Sequence, residues 1–532
     1  MWFDRLSVFF LFLLLYVATM GGHLYSPDDE VMFRTTRALA TRGRLDIEPI
    51  AQGFATAPGR DGRQFAQYGV GQPLLAVPFY WLGGLLEPAG GTVGAVLRAA
   101  DPWLMVHHEG RAGDWARRLG VSLFNQFVGA LLCAVFWGFV WELTRDRPAA
   151  WISTALLGAG SYVWAHSRPF FSEPLAALLI LGSFYALHLG AVRRRTLWFA
   201  LGGALFGGSL LVRLDSAFFG PGLAVFFLAL LFTGAPGADG AVEPLEGSGA
   251  DKSACANPFL SLDFPAVRPS DTLSFIGWLK GVVAATVPVL LGLACVFALN
   301  FYRFGALLTT GYEDQPEGLD FGTPLVAGLY GFLFSAGKGL FFFSPPLVLF
   351  FCAVGAFARR TRALAWGILA GACVFFLVQC KWRNFAGGWC WGPRHIFQLT
   401  PLLALPVGVW LSQVWRSASA GAVRVAVAVL LVVGAAVQLL GTSQNFISYY
   451  VEFYRTPEDG VYFAPLYGEG ETQLLYPPPP APINDSIYVP QHTQWRGNVL
   501  MLRLGRHDWF WLHLLNPPAD ALPSDEPGAD GP

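Results

Sequence analysis

Long apolar runs constrain the fold of this 532-residue chain more than any other feature. A membrane-spanning helix needs about 20 apolar residues, because a helix rises 1.5 Å per residue through roughly 30 Å of hydrocarbon. Only 13% of the residues are charged, against roughly a quarter in soluble proteins. We therefore predict an all-α polytopic membrane protein with about 11 transmembrane helices. The runs are Leu6 to Gly22, Leu119 to Leu143, Ala149 to Trp164, Pro174 to Val192, Leu197 to Val212, Ala217 to Phe232, Ile276 to Phe297, Leu340 to Phe357, Ala363 to Val378, Ile396 to Trp410 and Val423 to Leu440.

Two further apolar stretches, Leu74 to Leu86 and Leu325 to Phe334, are too short to span and favour interfacial or re-entrant segments. If either were a twelfth span, the topology after it would invert. The first run, which follows Arg5, resembles a signal peptide, but an uncleaved first helix is the preferred interpretation because the polar motif after it needs an anchor.

The distribution of cations orients the chain. With a cytoplasmic amino terminus, 14 of the 35 Lys and Arg residues lie inside, and 14 lie in the long first outer loop and the tail, which are exempt from the positive-inside rule. Seven remain at short outer loops or outer helix ends. They are either snorkelling residues or residues that converge on an anionic ligand at the outer face: Arg168, Arg213, Arg303, Lys338, Lys381, Arg383 and Arg394.

The domain organisation follows from composition. Residues 1–440 form the predicted transmembrane domain, with an extracytoplasmic first loop at 22–118 and a Gly-, Ala-, Pro- and Ser-rich cytoplasmic linker at 233–272. Residues 441–516 form a small extracytoplasmic tail region, and the acidic, Pro-rich residues 517–532 are predicted to be disordered.

Charge and cysteine content exclude several classes. The net charge of −1 gives no basic excess for a nucleic-acid partner. No disulfide framework or zinc spacing can be read from the seven cysteines. Cys380 and Cys390 flank one polar segment, so they either pair in an oxidising compartment or stay as unpaired packing residues.

Three consecutive acids, Asp28, Asp29 and Glu30, follow the first run, and Ser26 and Pro27 mark a helix start just before them. Acids in a first helical turn are favoured by the helix dipole, which is one explanation. The functional alternative is a general base or a metal ligand beside the bilayer.

Two more polar groups interrupt apolar sequence on the same predicted side. His166, Arg168 and Glu173 lie in the segment that joins the third and fourth runs, where Glu173 is also suited to capping a helix. Arg213 and Asp215 follow the fifth run, and an ionisable pair at membrane depth is costly unless it is paired or lines a cavity.

The last two segments combine cations with glycine. Lys338 stands between two glycines, which let backbone amides approach an anion closely. The segment from Lys381 to His395 is the densest candidate site, although an aromatic belt with snorkelling cations would also explain it. Its candidate residues are Trp382, Arg383, Trp389, Trp391, Arg394 and His395.

The arrangement resembles the GT-C superfamily of integral-membrane glycosyltransferases, which use polyprenyl-phosphate sugars; its members include protein O-mannosyltransferases and lipid A aminoarabinose transferases. The likeness covers most of residues 1–440, in topology more than in identity. It implies that Asp28 or Asp29 deprotonates the acceptor hydroxyl or organises the site, with Glu30 beside them. Glu173 is similar in position to a second acidic residue of some members.

The resemblance also implies the binding residues. The Gly387-Gly388 and Gly392-Pro393-Arg394 segments look like a loop of bacterial members whose cations hold the lipid phosphate. The implied phosphate-binding set is Lys338, Arg383, Arg394, His395 and Arg213, and the implied substrate-binding set is Trp382, Trp389, Trp391, Arg168, Asp215 and His166.

The predicted activity is inverting transfer of a sugar to a lipid, glycan or protein acceptor, in a bacterial inner membrane and at its outer face. Lys or Arg stabilises the leaving phosphate, and a positioned carboxylate assists the incoming hydroxyl. Mg²⁺ or Mn²⁺ dependence stays open, because no ligand spacing demands a metal. The alternatives are a lipid-linked-sugar flippase or transporter and an O-antigen-type polymerase or ligase.

Overall fold

The computed structural model describes residues 2–48, 55–100, 112–233, 274–313, 320–388, 390–417, 420–446, 487–488, 490 and 493–515. These residues are mostly helical, and six helical stretches are long and apolar enough to cross a membrane. The polytopic helical class is therefore confirmed, whereas the count of eleven spans is not. The six stretches are Asp114–Thr144, Glu173–Arg193, Leu214–Phe232, Phe275–Phe304, Arg362–Lys381 and Gly421–Thr442.

The described residues contain one small sheet and a series of helices that we number in chain order. The strands are β1 (Thr56–Pro58) and β2 (Gln64–Ala66). The helices are α1 (Trp2–Ala18), α2 (Pro27–Arg42), α3 (Gly71–Leu85), α4 (Gly90–Ala100), α5 (Ala112–Ser122), α6 (Phe124–Thr144), α7 (Arg147–Gly158), α8 (Glu173–Arg193), α9 (Thr196–Val212), α10 (Gly220–Thr233), α11 (Phe275–Phe304), α12 (Leu325–Leu333), α13 (Leu340–Phe343), α14 (Phe350–Arg360), α15 (Arg362–Lys381), α16 (Leu399–Val414), α17 (Gly421–Thr442), α18 (Gln494–Arg503) and α19 (Phe510–Leu515).

Two predicted runs are broken helices. The run from Ala149 to Trp164 is helical only as far as Gly158, and a short 3-10 turn follows at Ala165–Ser167. The run from Leu340 to Phe357 divides into α13, a 3-10 segment at Pro345–Leu349, and α14. Consecutive prolines explain the second break, since each lacks the N–H that an α-helix uses and collides with the preceding turn.

The described parts of the first loop, residues 22–48, 55–100 and 112–118, contain helices and two short strands. β1 and β2 pair antiparallel within it, so the all-α prediction needs this small correction. The stretch from Leu74 to Leu86 forms α3, 15 residues long, and the stretch from Leu325 to Phe334 forms α12, 9 residues long. Both helices are too short to span. α3 packs closely on α5, because a Cβ added at Gly83 would lie 2.5 Å from the Ala116 carbonyl oxygen.

The tail also packs on the first loop. Phe510 is buried in a cluster with residues of the first loop and the end of α1: Met20, Val93, Val96, Leu97, Trp115 and Leu119. The linker residues 234–272 and the terminal residues 517–532, of which only the latter were predicted to be disordered, lie outside the described part of the chain.

Glu30 and Arg118 make a buried ion pair that joins α2 to α5. Two guanidinium nitrogens of Arg118 contact the carboxylate, one of them at 3.0 Å, and Arg34 Nε donates to it at 2.9 Å. Only 3% of the Arg118 side chain and 1% of the Glu30 side chain are exposed.

We expect Arg118→Ala to lower the free energy of unfolding by about 3 kcal/mol, because removing one partner of a buried pair leaves a desolvated charge behind. The neighbouring Arg117 pairs with Glu87, whose side chain is 51% exposed, so Arg117→Ala should cost about 1 kcal/mol or less. Thermal melting of the two purified variants in one detergent provides the comparison. Equal melting shifts would contradict the structural role of the Glu30 pair.

Candidate active site

The start of α2 turns the three acids in different directions. Ser26 Oγ accepts the Asp29 N–H at 3.3 Å and caps the helix, and Pro27 occupies its first turn. Successive residues of a helix are rotated by about 100°, so neighbouring carboxylates face different surroundings. Glu30 faces Arg118, whereas Asp28 and Asp29 have the partners described next.

Asp28 is held by two residues from distant parts of the chain. Its Oδ1 accepts the Tyr68 hydroxyl, and its Oδ2 accepts Nη1 of Arg394 at 2.7 Å. Burial lowers the pKa of Arg394, but Asp28 and Glu173 outweigh burial and raise its pKa well above the ordinary value. Arg394 is therefore a permanent cation, and 19% of the Asp28 side chain is still exposed. A carboxylate offers about four lone-pair positions, so Asp28 can accept a further hydrogen bond.

Asp29 is fully buried. Its Oδ2 accepts the backbone N–H of Tyr25 at 2.9 Å, which braces the turn that leads into α2. Burial raises the pKa of Asp29 to about 7. Asp29 therefore supports the backbone around Asp28 and has no exposed surface for a substrate.

We expect Asp29→Asn to change how stability depends on pH. Because the folded pKa is raised from 3.8 to about 7, the folded protein holds a proton that the unfolded chain has already lost. The Asp29 contribution to stability therefore falls by up to ~1.4 kcal/mol per pH unit between about pH 4 and pH 7, and Asn cannot titrate. Thermal melting across that range should show that the stability of the variant, relative to that of the wild type, increases as pH rises. A difference that stays constant with pH would refute the raised pKa.

Glu173 and Asp215 meet at Arg213. Arg213 Nη1 contacts Glu173 Oε1 at 2.6 Å, and its Nη2 contacts Asp215 Oδ2 at 2.8 Å. Gln379 Nε2 donates to the same Asp215 oxygen at 2.9 Å. Glu173 Oε1 also lies 4.0 Å from Nε of Arg394 and 3.9 Å from Nδ1 of His395. The structure thus brings the Asp28, Glu173 and Arg213 segments into one network.

A cavity of about 300 Å³ lies beside this network. Its wall is largely apolar, with residues of α9, α11 and α15, and it includes Arg213, Asp215, Gln379 and Trp382. Tyr68 lines the cavity as well as touching Asp28, so one side chain connects the two. Tyr312 also lines the cavity, and its ring centroid lies 6.4 Å from that of Tyr68.

Arg303 is the cavity cation whose positive charge is least neutralised by neighbouring carboxylates. Its guanidinium donates to the carbonyl oxygens of Ala66 and Tyr68 and to the side chain of Asn300. These partners are neutral, and within the described part of the chain no carboxylate forms an ion pair with Arg303. Only 6% of the residue is exposed, so its charge acts in surroundings that screen it weakly.

Lys338 holds the loop between α15 and α16. Its Nζ donates to the carbonyl oxygens of Gly388 at 2.8 Å and Cys390 at 2.7 Å. Gly387, Gly388 and Gly392 all have positive φ, which is why glycine is needed at these turns. Lys338 thus fixes the loop that carries Arg394. Cys380 and Cys390 are free thiols, so they do not form the disulfide bond that was one of the two alternatives.

Other predicted site residues lie away from the cavity. Arg383 is exposed and pairs with Asp320 at 3.0 Å. Trp391 is buried, and its carbonyl oxygen lies 2.7 Å from Nε2 of His166. Arg168 is occupied by the tail, as described below, and Trp389 lies outside the described residues. Among the predicted tryptophans that the structure describes, Trp382 alone lines the cavity, with its ring 4.6 Å from that of His395.

Sequence reasoning missed Tyr68, Tyr312 and Gln379. Each is a single polar residue in a segment without a motif, so no local pattern indicated it. Arg303 was named among the outer cations that converge on an anionic ligand in one interpretation, but it was not included in the phosphate-binding set. Its one signal was a charge at the end of a long apolar run.

No metal site is evident in the part of the chain that the structure describes, because no three His, Cys, Asp or Glu side chains there group as ligands. The grouped acids of α2 have separate partners instead. A requirement for Mg²⁺ or Mn²⁺ stays untested.

Comparison with known proteins gives structural likeness only. No protein-family profile and no curated protein match the chain. The archaeal oligosaccharyltransferase AglB from Archaeoglobus fulgidus, in complex with an inhibitory peptide and a dolichol-phosphate, matches 86% of this chain at 12% identity and a TM-score of 0.45. This chain spans 59% of that protein's length. ArnT from Cupriavidus metallidurans bound to undecaprenyl phosphate matches 85% at 14% identity and a TM-score of 0.46, and 80% of ArnT is covered.

Proposed function

We propose that this protein is a GT-C-type membrane glycosyltransferase that moves a sugar from a polyprenyl-phosphate donor to an acceptor hydroxyl at the extracytoplasmic face. The observation that carries the proposal is the position of Asp28. Arg394 and Tyr68, which lines the apolar cavity, hold this carboxylate, and two cations, Arg213 and Arg303, lie in the cavity wall. A carboxylate beside a lipid-like groove fits an enzyme that acts on a lipid-linked substrate.

The cavity suits the phosphate end of such a donor. Apolar walls favour binding of the first part of a prenyl chain. Because the cavity volume is only about 300 Å³, the rest of the prenyl chain extends into the membrane. Arg303 and Arg213 face the cavity. Of these two, Arg303 is the stronger candidate for the phosphate, because both carboxylates beside Arg213 already compensate its charge.

The proposed step is a single displacement. The bond between the anomeric carbon and the phosphate oxygen breaks, and a bond forms between that carbon and the acceptor oxygen, which inverts the anomeric configuration. The acceptor proton passes to Asp28, and polyprenyl phosphate leaves with the bonding electron pair. Cations that contact the leaving phosphate stabilise its developing charge.

The other predicted residues keep supporting roles in this proposal. Glu173 and His395 position Arg394, and Asp215 and Trp382 line the cavity where the sugar would lie. Lys338 acts through the loop it holds. The acceptor is a lipid, a glycan or a protein, and a bacterial polyprenyl phosphate carries the sugar.

Purified protein in proteoliposomes tests the function against the flippase alternative. A panel of polyprenyl-phosphate sugars is supplied with water-soluble and lipid acceptors, and two quantities are followed: glycosylated product and movement of donor between leaflets. We expect product from at least one donor without leaflet exchange. Leaflet exchange without product would favour the transporter.

A further inference from the structure

A single tail residue, Asp508, connects three distant segments at the base of α2. Its Oδ1 lies 2.8 Å from Nε2 of His23, and its Oδ2 accepts Nη2 of Arg168 at 2.7 Å. The same Arg168 nitrogen also donates to the Asp508 carbonyl oxygen at 2.7 Å. Asp508, His23 and Arg168 are each 4% exposed or less. The predicted substrate residue Arg168 is therefore occupied in binding the tail.

The partners of Asp508 explain why a buried carboxylate is stable at this position. Nδ1 of His23 lies 2.8 Å from the Leu24 carbonyl oxygen, and Nε2 faces the Asp508 carboxylate. Both neighbours are acceptors, so this geometry is satisfied when both nitrogens of His23 carry protons. Burial alone would raise the pKa of Asp508, but His23 and Arg168 outweigh burial and lower it. Asp508 is thus an ionised carboxylate between the Arg168 guanidinium and the His23 imidazole.

Backbone contacts dock the surrounding tail at the same place. The Asp508 N–H donates to the Ser443 carbonyl oxygen at 2.8 Å, and the Phe510 N–H donates to the Met20 carbonyl oxygen at 2.9 Å. The Trp511 indole N–H donates to the Val17 carbonyl oxygen at 2.8 Å. The tail therefore joins the ends of α1 and α17.

From Asp508 the contacts lead to the start of α2. The Arg168 guanidinium lies 4.9 Å from the ring centroid of Tyr25, and the ring of His23 lies 4.2 Å from the same ring. The backbone N–H of Tyr25 binds Asp29, and the next residue, Ser26, caps α2. Space here is tight, since a Cβ added at Gly21 would lie 2.1 Å from the Tyr25 hydroxyl and 2.8 Å from Asp508 Oδ2.

We propose that Asp508 is a positioning residue that fixes the first turn of α2, and with it Asp28, through Arg168, His23 and Tyr25. The inference rests on the proposed function for its effect on catalysis, but not for its effect on α2. No side chain of this group lines the donor cavity. Loss of Asp508 should therefore affect the chemical step rather than donor binding.

Hydrogen exchange and kinetics test the inference on full-length protein in nanodiscs. In Asp508→Ala we expect the amides of residues 25–31 to exchange about tenfold faster or more, because two charge-assisted hydrogen bonds are lost. We expect kcat to fall by about 10- to 100-fold, the scale of a small misplacement of a reacting group, with the donor KM unchanged within a factor of about three. Asp508→Asn, which keeps an acceptor oxygen, should give smaller changes of the same kind if Asp508→Ala folds poorly.

The matched control is Glu87→Gln, which removes an exposed acid that pairs with Arg117 in the first loop. It should change neither exchange at 25–31 nor kcat. Unchanged exchange at 25–31 in both Asp508 variants would overturn the inference, as would an unchanged kcat in an active enzyme. If the wild type transfers no sugar from any donor while exchange at 25–31 still rises in the variants, the proposed function fails and the positioning of α2 stands.

Discussion

Asp28→Asn is expected to lower kcat by about 10²- to 10⁴-fold, the usual contribution of a positioned general base. Asparagine keeps the size of the side chain and can still accept the Tyr68 hydroxyl, but it cannot take the acceptor proton. The donor KM should change by less than about tenfold, because the cavity wall is untouched. Initial rates at saturating acceptor, with donor varied, separate the two constants.

Asp29→Asn is the matched control for this prediction. Asp29 is adjacent in sequence and carries the same group, but it is fully buried and binds the Tyr25 backbone, an interaction that Asn retains. We expect its kcat to stay within about tenfold of the wild type. If both variants kept full donor-dependent transfer, no first-loop Asp would be the base. If Asp29→Asn alone lost activity, the roles of the two residues would be reversed.

Arg303→Gln is expected to weaken binding of polyprenyl phosphate by about 10- to 150-fold, because a hydrogen bond to a charged group is worth about 1.5 to 3 kcal/mol and every 1.4 kcal/mol is tenfold. Arg303 is buried in the cavity wall with neutral partners, so its charge is available to a phosphate. Binding to protein in detergent micelles can be measured by titration with the lipid phosphate and with the uncharged polyprenol.

Two further variants separate charge from packing at this position. Arg303→Lys keeps the cation and should retain most of the preference for polyprenyl phosphate over polyprenol. Arg117→Gln, which removes a partly exposed cation of the first loop that pairs with Glu87, should leave binding unchanged. If Arg303→Gln bound phosphate and alcohol with the wild-type ratio, the phosphate would not lie beside Arg303.

The local features of the site were predictable from sequence. Ser26 and Pro27 indicated the start of α2, and the structure confirms the cap. An ion pair between Arg213 and Asp215 was one of the two alternatives for charges at membrane depth, and the two side chains contact each other at 2.8 Å. Short-range rules govern both features, since capping and pairing there involve residues within three positions of each other.

Long-range partners were not predictable. Asp28 and Arg394 are 366 residues apart, and His23 and Asp508 are 485 residues apart. No local sequence pattern in one segment therefore indicates its partner in the other. The same holds for Lys338, which resembles a phosphate ligand in sequence but binds backbone carbonyl oxygens 50 and 52 residues away. Apolar length alone also did not predict the break in the run from Leu340 to Phe357, which prolines at 345 and 346 divide into short helices.

Release of free polyprenyl phosphate from a labelled donor is the most direct test of the central claim that Asp28 and the cavity form one glycosyl-transfer site. The measurement uses purified wild type, Asp28→Asn and Arg303→Gln with one panel of polyprenyl-phosphate sugars and acceptors. We predict acceptor-dependent release by the wild type, loss of release at saturating donor in Asp28→Asn, and partial recovery of release at high donor in Arg303→Gln. Release that is equal in all three proteins, or absent from the wild type with every donor, would contradict the claim.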